Sequence, residues 1–220
     1  NGTNVATDGS LAPESGGYRV KLSKLDLAQG KLTANLAEPA SVLVQGQNVT
    51  IDAFTLNAGG GRVAVKGGVA ENLGLDVNIR ALPLALANAI KPDLALGGTL
   101  DGTATIGGTR STPEIQFTVN GQSLTAALLR QAGLSTLSVN AKGNSTTSRL
   151  NLDALVTSPE GLKATASGAV PLDKGQMALD VNLNAFPLAV LNAVAKGQGL
   201  GGTVSGTAHV TGTLAKPAAT

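Results

Sequence analysis

The residues of this 220-residue chain that could do chemistry are few and scattered. His209 is the only histidine and cysteine is absent, so the residue types that build most zinc sites and histidine- or thiolate-based catalytic sites are missing. Asp76 and Asp180 occupy matching places in a repeated sequence, which favours polar surface positions over an acid–base pair. We interpret His209 as a solvated surface residue. The sequence predicts no enzyme activity, no metal site and no cofactor.

Two glycine-rich strings, LGGTLDGT from Leu96 and LGGTVSGT from Leu200, are superficially similar to phosphate-binding loops. Neither contains the GxxxxGK[ST] pattern, and neither is followed by a helical pattern. Their glycines recur every second residue, which is the period of a β-strand. They therefore indicate strands with small residues on one face.

The composition favours a thin or elongated sheet over a thick core. Hydrophobic residues make up 42% of the chain, but aromatic residues only 2%, and there are 29 glycines. The net charge is +2, without a cluster of lysine and arginine, so nucleic-acid binding is not predicted. No stretch of about 20 apolar residues is present that could span a membrane as a helix.

The most informative feature is a duplication. Residues 75–113 align without a gap to residues 179–217, and about half of the positions are identical at a spacing of about 104 residues. Each copy consists of a strand pattern, a short apolar segment that follows a proline, and a glycine-punctuated strand pattern. We expect one building unit, used at least twice.

Alternating apolar and polar residues continue from Tyr18 almost to the end of the chain and predict about 14 antiparallel strands. The alternation slips after Leu22 and after Ala53, which predicts a bulge or a bend in the sheet. A single sheet of this size would be about 65 Å long, so it must curl, close or pack on a second sheet. Residues 122–132 fit either strand or helix, and strand is slightly favoured.

One face of these strands is apolar throughout. Two interpretations of it stay open, an ordinary core and a groove left open for an apolar ligand. The predicted groove lining is Leu75, Val77, Ile79, Leu100, Ala104, Ile106, Ile115 and Phe117 in the first copy, and Leu179, Val181, Leu183, Val204 and Val210 in the second.

Pro83 and Pro187 each start a short helical segment, predicted over residues 84–91 and 187–195. Both segments are apolar nearly all round and too short to be stable alone, so we expect each to dock on the sheet as a plug. The predicted plug residues are Leu82, Leu86, Ile90, Phe186, Val190 and Val194.

We expect one continuous elongated domain from a longer protein, consisting of residues 1–17 as a loop or truncated start, 18–121 as the first repeat and 122–220 as the second. The duplicated motif resembles the C-terminal repeat region of the TamB family, which is related to AsmA-like envelope proteins. The residues that match are Leu82, Pro83, Leu84, Leu96, Gly98, Leu100, Gly102, Ala104, Gly108, Thr109 and Pro113, and again Phe186, Pro187, Leu188, Leu200, Gly202, Val204, Gly206, Ala208, Gly212, Thr213 and Pro217. Phe186 and Val204 replace leucine in the motif.

The resemblance implies an all-β fold, a long antiparallel sheet curled into an open U-shaped trough with an apolar interior. It implies a periplasmic location in a Gram-negative envelope, an inner-membrane anchor outside these residues, and a TamA-type outer-membrane barrel as partner. The implied function is a conduit for phospholipid or another acyl-chain ligand that also supports outer-membrane assembly. A chaperone-like groove for outer-membrane protein strands and a purely structural β-stalk are the alternatives; the long repeat counts against the stalk.

Overall fold

The computed structural model of the chain describes residues 3–30, 32–131, 133–173, 175–193, 199–213 and 215–220, apart from the side chains of Leu191, Ala193 and Pro217. It contains one antiparallel sheet of 15 strands, so the predicted all-β class is confirmed. The first eight strands are β1 (Thr3–Glu14), β2 (Gly17–Gln29), β3 (Leu32–Leu36), β4 (Ala40–Gln45), β5 (Asn48–Ala58), β6 (Gly61–Val69), β7 (Leu73–Pro83) and β8 (Gly97–Gly108). The others are β9 (Pro113–Thr125), β10 (Leu137–Ser145), β11 (Arg149–Thr157), β12 (Lys163–Pro171), β13 (Ala178–Pro187), β14 (Thr203–Thr213) and β15 (Lys216–Ala219).

The chain follows an up-and-down path in which each connection joins neighbouring strands. β3 and β4 both lie between β2 and β5 and run in the same direction, so they form one strand position that is broken at residues 37–39. The sheet therefore has 14 positions, which agrees with the predicted number of strands.

All helical segments described in the structure lie at one end of the strands, which we call the helix rim. The first Pro-started segment is a 3₁₀ helix at Leu84–Ala89, and the second lies at Leu188–Ala193. A 3₁₀ turn at Pro92–Leu94 and the α-helix α1 (Ala127–Gln131) lie at the same rim. The opposite end, the turn rim, has short turns such as residues 109–112.

Both predicted slips in alternation are bulges. Pairing of β1 with β2 shifts between Asp8 and Gly9, opposite the slip after Leu22. Pairing of β5 with β6 shifts between Ile51 and Phe54. Each bulge returns apolar residues to the same face after an extra residue, which keeps that face apolar along the strand.

Gly67 and Gly168 occupy matching positions on β6 and β12 and have φ of +118° and +133°. A Cβ atom at Gly67 would collide with the carbonyl oxygen of Gly74, and one at Gly168 with that of Ala178. Only glycine fits this close approach of neighbouring strands, so the sheet requires glycine at both places.

The sheet bends between β4 and β9, as the contacts of Arg110 demonstrate. From the β8–β9 turn, its Nε donates to Ala70 O (2.6 Å), and its Nη2 donates to Val69 O (3.3 Å) and to Gln47 O. In a flat sheet the β8–β9 and β4–β5 turns would be four strand spacings apart, about 19 Å, far beyond the reach of an arginine. The bend is compatible with the predicted trough, whose full shape stays a prediction.

The molecule encloses little core. Its accessible surface is 12963 Å², whereas a compact protein of 21.7 kDa would have about 9200 Å². Among the described residues, the buried aliphatic side chains are Ala40, Leu134, Met177 and Val190, which lie at the rims or beside the break between β3 and β4. Most of the sheet is therefore a single layer.

Three local expectations need correction or refinement. Residues 3–14 form a full strand, so the loop alternative for residues 1–17 is wrong for them. For residues 122–132 the favoured strand holds only to Thr125, and α1 follows over Ala127–Gln131, whose Ala, Leu, Arg and Gln are all strong helix formers. Strand β9 continues through the proposed boundary between residues 121 and 122, and the division into two repeats stays a prediction.

Candidate functional site

The candidate site is the apolar face of the sheet, defined here as the face that presents Val77, Ala104, Phe117 and Leu179. Residues that pair directly across antiparallel strands point to the same side. Val77 pairs with Ala104 and Ala104 with Phe117, while Leu75 pairs with Ile106 and Ile106 with Ile115. On the far strands Leu179 pairs with Val210, and Phe186 with Val204. The predicted lining residues are therefore brought together on one continuous face.

This face is sheltered but not buried. All predicted lining residues are half-buried except Val204, whose side chain is 44% exposed. Residues on the opposite, polar face, such as Asp76, Thr105 and Gln116, are exposed. The alternation in exposure shows that the apolar side is the more sheltered of the two faces.

No charged residue lies on the central part of the apolar face between β5 and β14, all of which belongs to the described chain. The side chains there are aliphatic, apart from Phe54, Phe117 and the polar Ser145. A surface of this kind attracts hydrocarbon through burial of apolar area, about 0.8 kcal/mol per CH₂ group.

The first Pro-started segment docks at the helix rim. Leu86 lies over Gly59, where an added Cβ would be 3.0 Å from Leu86 Cδ2. Asn88 closes the segment, because its Nδ2 donates to Leu96 O and its Oδ1 accepts from Leu96 N–H, both at 2.8 Å. Ile90, by contrast, is 84% exposed, so its predicted place in the plug is wrong. It follows the last helical residue and points away from the sheet.

The second segment repeats this arrangement. Asn192 and Leu200 form the same two hydrogen bonds, each of 2.8 Å. Val190 is buried, with 6% of its surface exposed, and Phe186 is half-buried beside Val204. Val194, the last predicted plug residue, lies outside the described residues. Both segments sit at the rim, and their action as plugs stays a prediction.

Sequence reasoning missed several residues of the face. Val119, Ala141, Ala154, Ala166 and Val181 form one row across five strands, but only Val181 was predicted as lining. The alternation of these segments was visible, whereas their register was not. Asn88 and Asn192 were also missed, although an asparagine at the same place in both copies was a usable signal.

The polar face has depressions of a different character. One of about 390 Å³ is lined by Lys142, Asp153 and Ser167, with Ala141 and Ala154 beneath them. Neither Val139 nor Leu152, the next residues along the apolar face, lines it, so it opens on the polar side. His209 also lies there and pairs with Asp180 (Nδ1 to Oδ1, 2.7 Å), in agreement with its surface interpretation.

Two carboxylates have shifted pKa values, and neither belongs to the apolar face. A hydrogen bond from Arg19 lowers the pKa of Glu14 at the first strands. Hydrogen bonds from Ser135 lower the pKa of Glu160 to about 2 at the helix rim, where Ser135 N–H lies 2.9 Å from Glu160 Oε1. These groups fasten strands and loops, and they are not arranged for proton transfer.

Within the described part of the chain, no cluster of three or more potential metal ligands occurs. The same residues contain no helix that is both long and apolar enough to cross a membrane.

One comparison with known protein families gives a match. A family model described as TamB, N-terminal domain, matches residues 2–130, which is more than half of the chain. No curated protein matches the chain significantly. The matched model describes an N-terminal domain, so it does not confirm the resemblance to the C-terminal repeat region. The match itself covers β1–β9 and their apolar face, and the chain belongs to the TamB family.

Proposed function

We propose that the protein is a segment of a periplasmic conduit, in which the apolar face carries phospholipid acyl chains between the inner and outer membranes. The TamB family belongs to the envelope assembly and transport machinery. The observation that supports the proposal most directly is the uncharged aliphatic face of β5–β14, whose central side chains are sheltered without being buried. Such a face loses contact with water when it binds hydrocarbon.

The proposed location and partners follow from membership of the family. We place the protein in the envelope of a Gram-negative bacterium, with an inner-membrane anchor outside the present residues and a TamA-type barrel at the outer membrane. The interpretation as the C-terminal repeat region is part of the same proposal, because the duplicated motif supports it. We propose transport without enzymatic turnover.

Photo-crosslinking in cells tests the proposal. A crosslinking amino acid at Val77 or Val181 should capture phospholipid, because both lie in the middle of the apolar face. The same amino acid at Thr103 or Asn182, on the polar face, is the matched control and should capture much less. If Val77 and Val181 never capture lipid while the protein still functions, the conduit is excluded.

A second test uses charge. Ile106→Asp should block lipid transport without unfolding, because the side chain lies on a half-open face where the carboxylate can reach water. Thr105→Asp, one residue away on the polar face, should leave transport unchanged. Global unfolding of the Ile106 variant alone would favour a closed core over a groove.

A chaperone-like groove is the second candidate, because the same half-buried apolar face can take the alternate apolar side chains of an extended segment of an outer-membrane protein. Mass spectrometry of material that copurifies with the protein separates the candidates, because one predicts phospholipid and the other peptide.

A further inference from the structure

The apolar face is corrugated between β7 and β13. In its two central rows β8, β10 and β12 present only glycine and alanine, which leaves a valley in the middle of each of these strands. The residues concerned are Gly102 and Ala104 on β8, Ala141 and Gly143 on β10, and Ala166 and Gly168 on β12. On β14 the same two rows hold Ala208 and Val210, so the alternation ends there.

The odd-numbered strands form ridges between these valleys. Their central residues are Val77 and Ile79 on β7, Phe117 and Val119 on β9, and Leu179 and Val181 on β13. On β11, Leu152 is large whereas Ala154 is small. Strands β5 and β6, with pairs such as Phe54 and Val65 or Leu56 and Val63, lack this alternation of large and small strands.

The dimensions suit a hydrocarbon chain. Ridge strands are separated by two strand spacings, about 9.6 Å. Carbon atoms in contact are about 4 Å apart, so one chain fits between two ridges and touches both. The Phe117 ring reaches over the β10 valley, where an added Cβ at Gly143 would be 3.0 Å from Cζ. That valley therefore has an aromatic side chain as a partial cover.

The charges at the helix rim match these valleys. Lys91 precedes β8, Arg130 precedes β10, and Lys163 is the first residue of β12. All three are exposed, and none forms an ion pair with another described residue. Two carboxylates, Asp93 and Glu160, lie at the same rim, and Glu160 Oε1 accepts a hydrogen bond from Ser135 N–H. Each of these three valleys thus has a cation close to its start.

We propose that each small-lined strand is a separate seat for one acyl chain, which lies parallel to the strand with its phosphate at the helix rim. This inference rests on the proposed function and adds to it the orientation, the spacing and the headgroup end of the ligand. An acyl chain that lay across the strands would meet the ridges formed by β9 and β13. Ala154 lowers the β11 ridge, so the β10 and β12 seats are connected there.

The test measures how many lipids bind. The protein is equilibrated with phosphatidylglycerol vesicles, and bound lipid is counted by native mass spectrometry. Ala104→Leu and Ala166→Leu fill valleys and should each remove about one bound lipid. Thr103→Leu and Ser167→Leu introduce the same side chain beside Ala104 and Ala166 but on the exposed polar face, and they should leave the number unchanged. Equal losses on the two faces would overturn the proposal.

Orientation is tested independently of these variants, in case a filled valley prevents folding. Phosphatidylglycerol with a photoreactive group near the carboxyl end of its chain should label the unmodified protein near Leu100, and a group near the methyl end should label it near Ile106. If both probes label the same position along the strands, on several neighbouring strands, the acyl chain does not lie parallel to a strand. That result would overturn the separate seats but not the conduit. If no lipid binds or crosslinks at all, the proposed function fails as well.

The headgroup end has its own measurement. Lys163→Gln should weaken binding of phosphatidylglycerol several-fold but leave binding of uncharged diacylglycerol unchanged. Lys142→Gln, a cation on the polar face, is the control and should affect neither. If Lys163→Gln and Lys142→Gln behave alike, the phosphate is not at the helix rim.

Discussion

The two copies of the repeated unit have the same internal geometry and different surroundings. In the first, β7, the segment Leu84–Ala89 and β8 are followed by the long strand β9; in the second, β13, Leu188–Ala193 and β14 are followed by the short strand β15. Both contain the Asn–Leu hydrogen bonds of 2.8 Å, and Leu75 pairs with Ile106 as Leu179 pairs with Val210. The exposure of β14 is greater because β15 covers only its last residues. The unit determines its own register, and its neighbours determine its exposure.

The largest expected effect concerns the strand that precedes each unit, β6 or β12. Gly67→Ala and Gly168→Ala should each destabilise the protein by about 3 kcal/mol or more, because a Cβ atom would meet a carbonyl oxygen at a φ that alanine avoids. Urea unfolding measures the loss. Gly107→Ala is the control, since nothing lies within 4 Å of its Cβ position. A marked difference between Gly67 and Gly168 would show that the units are not equivalent here.

The next effect concerns a contact described only in the first unit. Arg110→Ala should cost about 2 kcal/mol, because it leaves the carbonyl groups of Gln47, Val69 and Ala70 without their charged donor. Hydrogen exchange should accelerate in the turn of residues 69–72. Arg149→Ala, at the neighbouring β10–β11 turn, removes an exposed cation and should cost little. Equal losses for the two variants would mean that Arg110 does not hold the bend.

A smaller effect separates the units directly. Gly102→Ala should destabilise by about 1 kcal/mol, because its Cβ would lie 2.9 Å from Thr118 O on β9. The matching change Gly206→Ala should be neutral or slightly stabilising, since nothing lies within 4 Å and alanine loses less entropy on folding. Thermal unfolding of both variants gives the comparison. Similar losses would contradict the difference in surroundings.

The smallest effect concerns contacts between loops at the helix rim. Leu86 packs over Gly59 beside the first unit, and Glu160 accepts a hydrogen bond from Ser135 in the β9–β10 loop. The second of these contacts can be tested by pH. Because the folded pKa of Glu160 is about 2, below the ordinary 4.5, its stabilisation is complete above pH 4.5 and is lost as the pH falls towards 2. Protection of the Ser135 amide from hydrogen exchange should fall over this range. Glu160→Gln should lower the protection at neutral pH and remove the pH dependence, and an unchanged profile would exclude the tether.

Much of the fold follows from local sequence. Alternation located the strands, its slips after Leu22 and Ala53 located bulges, and Pro83 and Pro187 located the 3₁₀ segments. The residues of each strand that lie on the apolar face were also predictable, because side chains alternate between the two faces with a period of two. α1 was less certain, because its five residues fit two periods equally well.

The features that could not be predicted depend on which residues of neighbouring strands pair with each other. Register is set across strands, so the row of Val119, Ala141, Ala154 and Ala166 was invisible in the sequence. Arg110 reaches Gln47 over a separation of 63 residues, and no local pattern announces such a contact. Ile90 fits the apolar pattern of its segment, but it lies beyond the last docked turn and its exposure follows from the rim around it.

The path of the chain has a consequence for how such a sheet can lengthen. Since each connection joins neighbours, a block of consecutive strands can be copied and inserted without rethreading the rest. The interval from β7 to β13 is six strands, an even number. An even block returns the chain to the same end of the sheet, so both 3₁₀ segments and their asparagines emerge at the helix rim. Copying an odd number of strands would place one of them at the turn rim and reverse every later strand. Growth of this architecture is therefore restricted to whole pairs of strands.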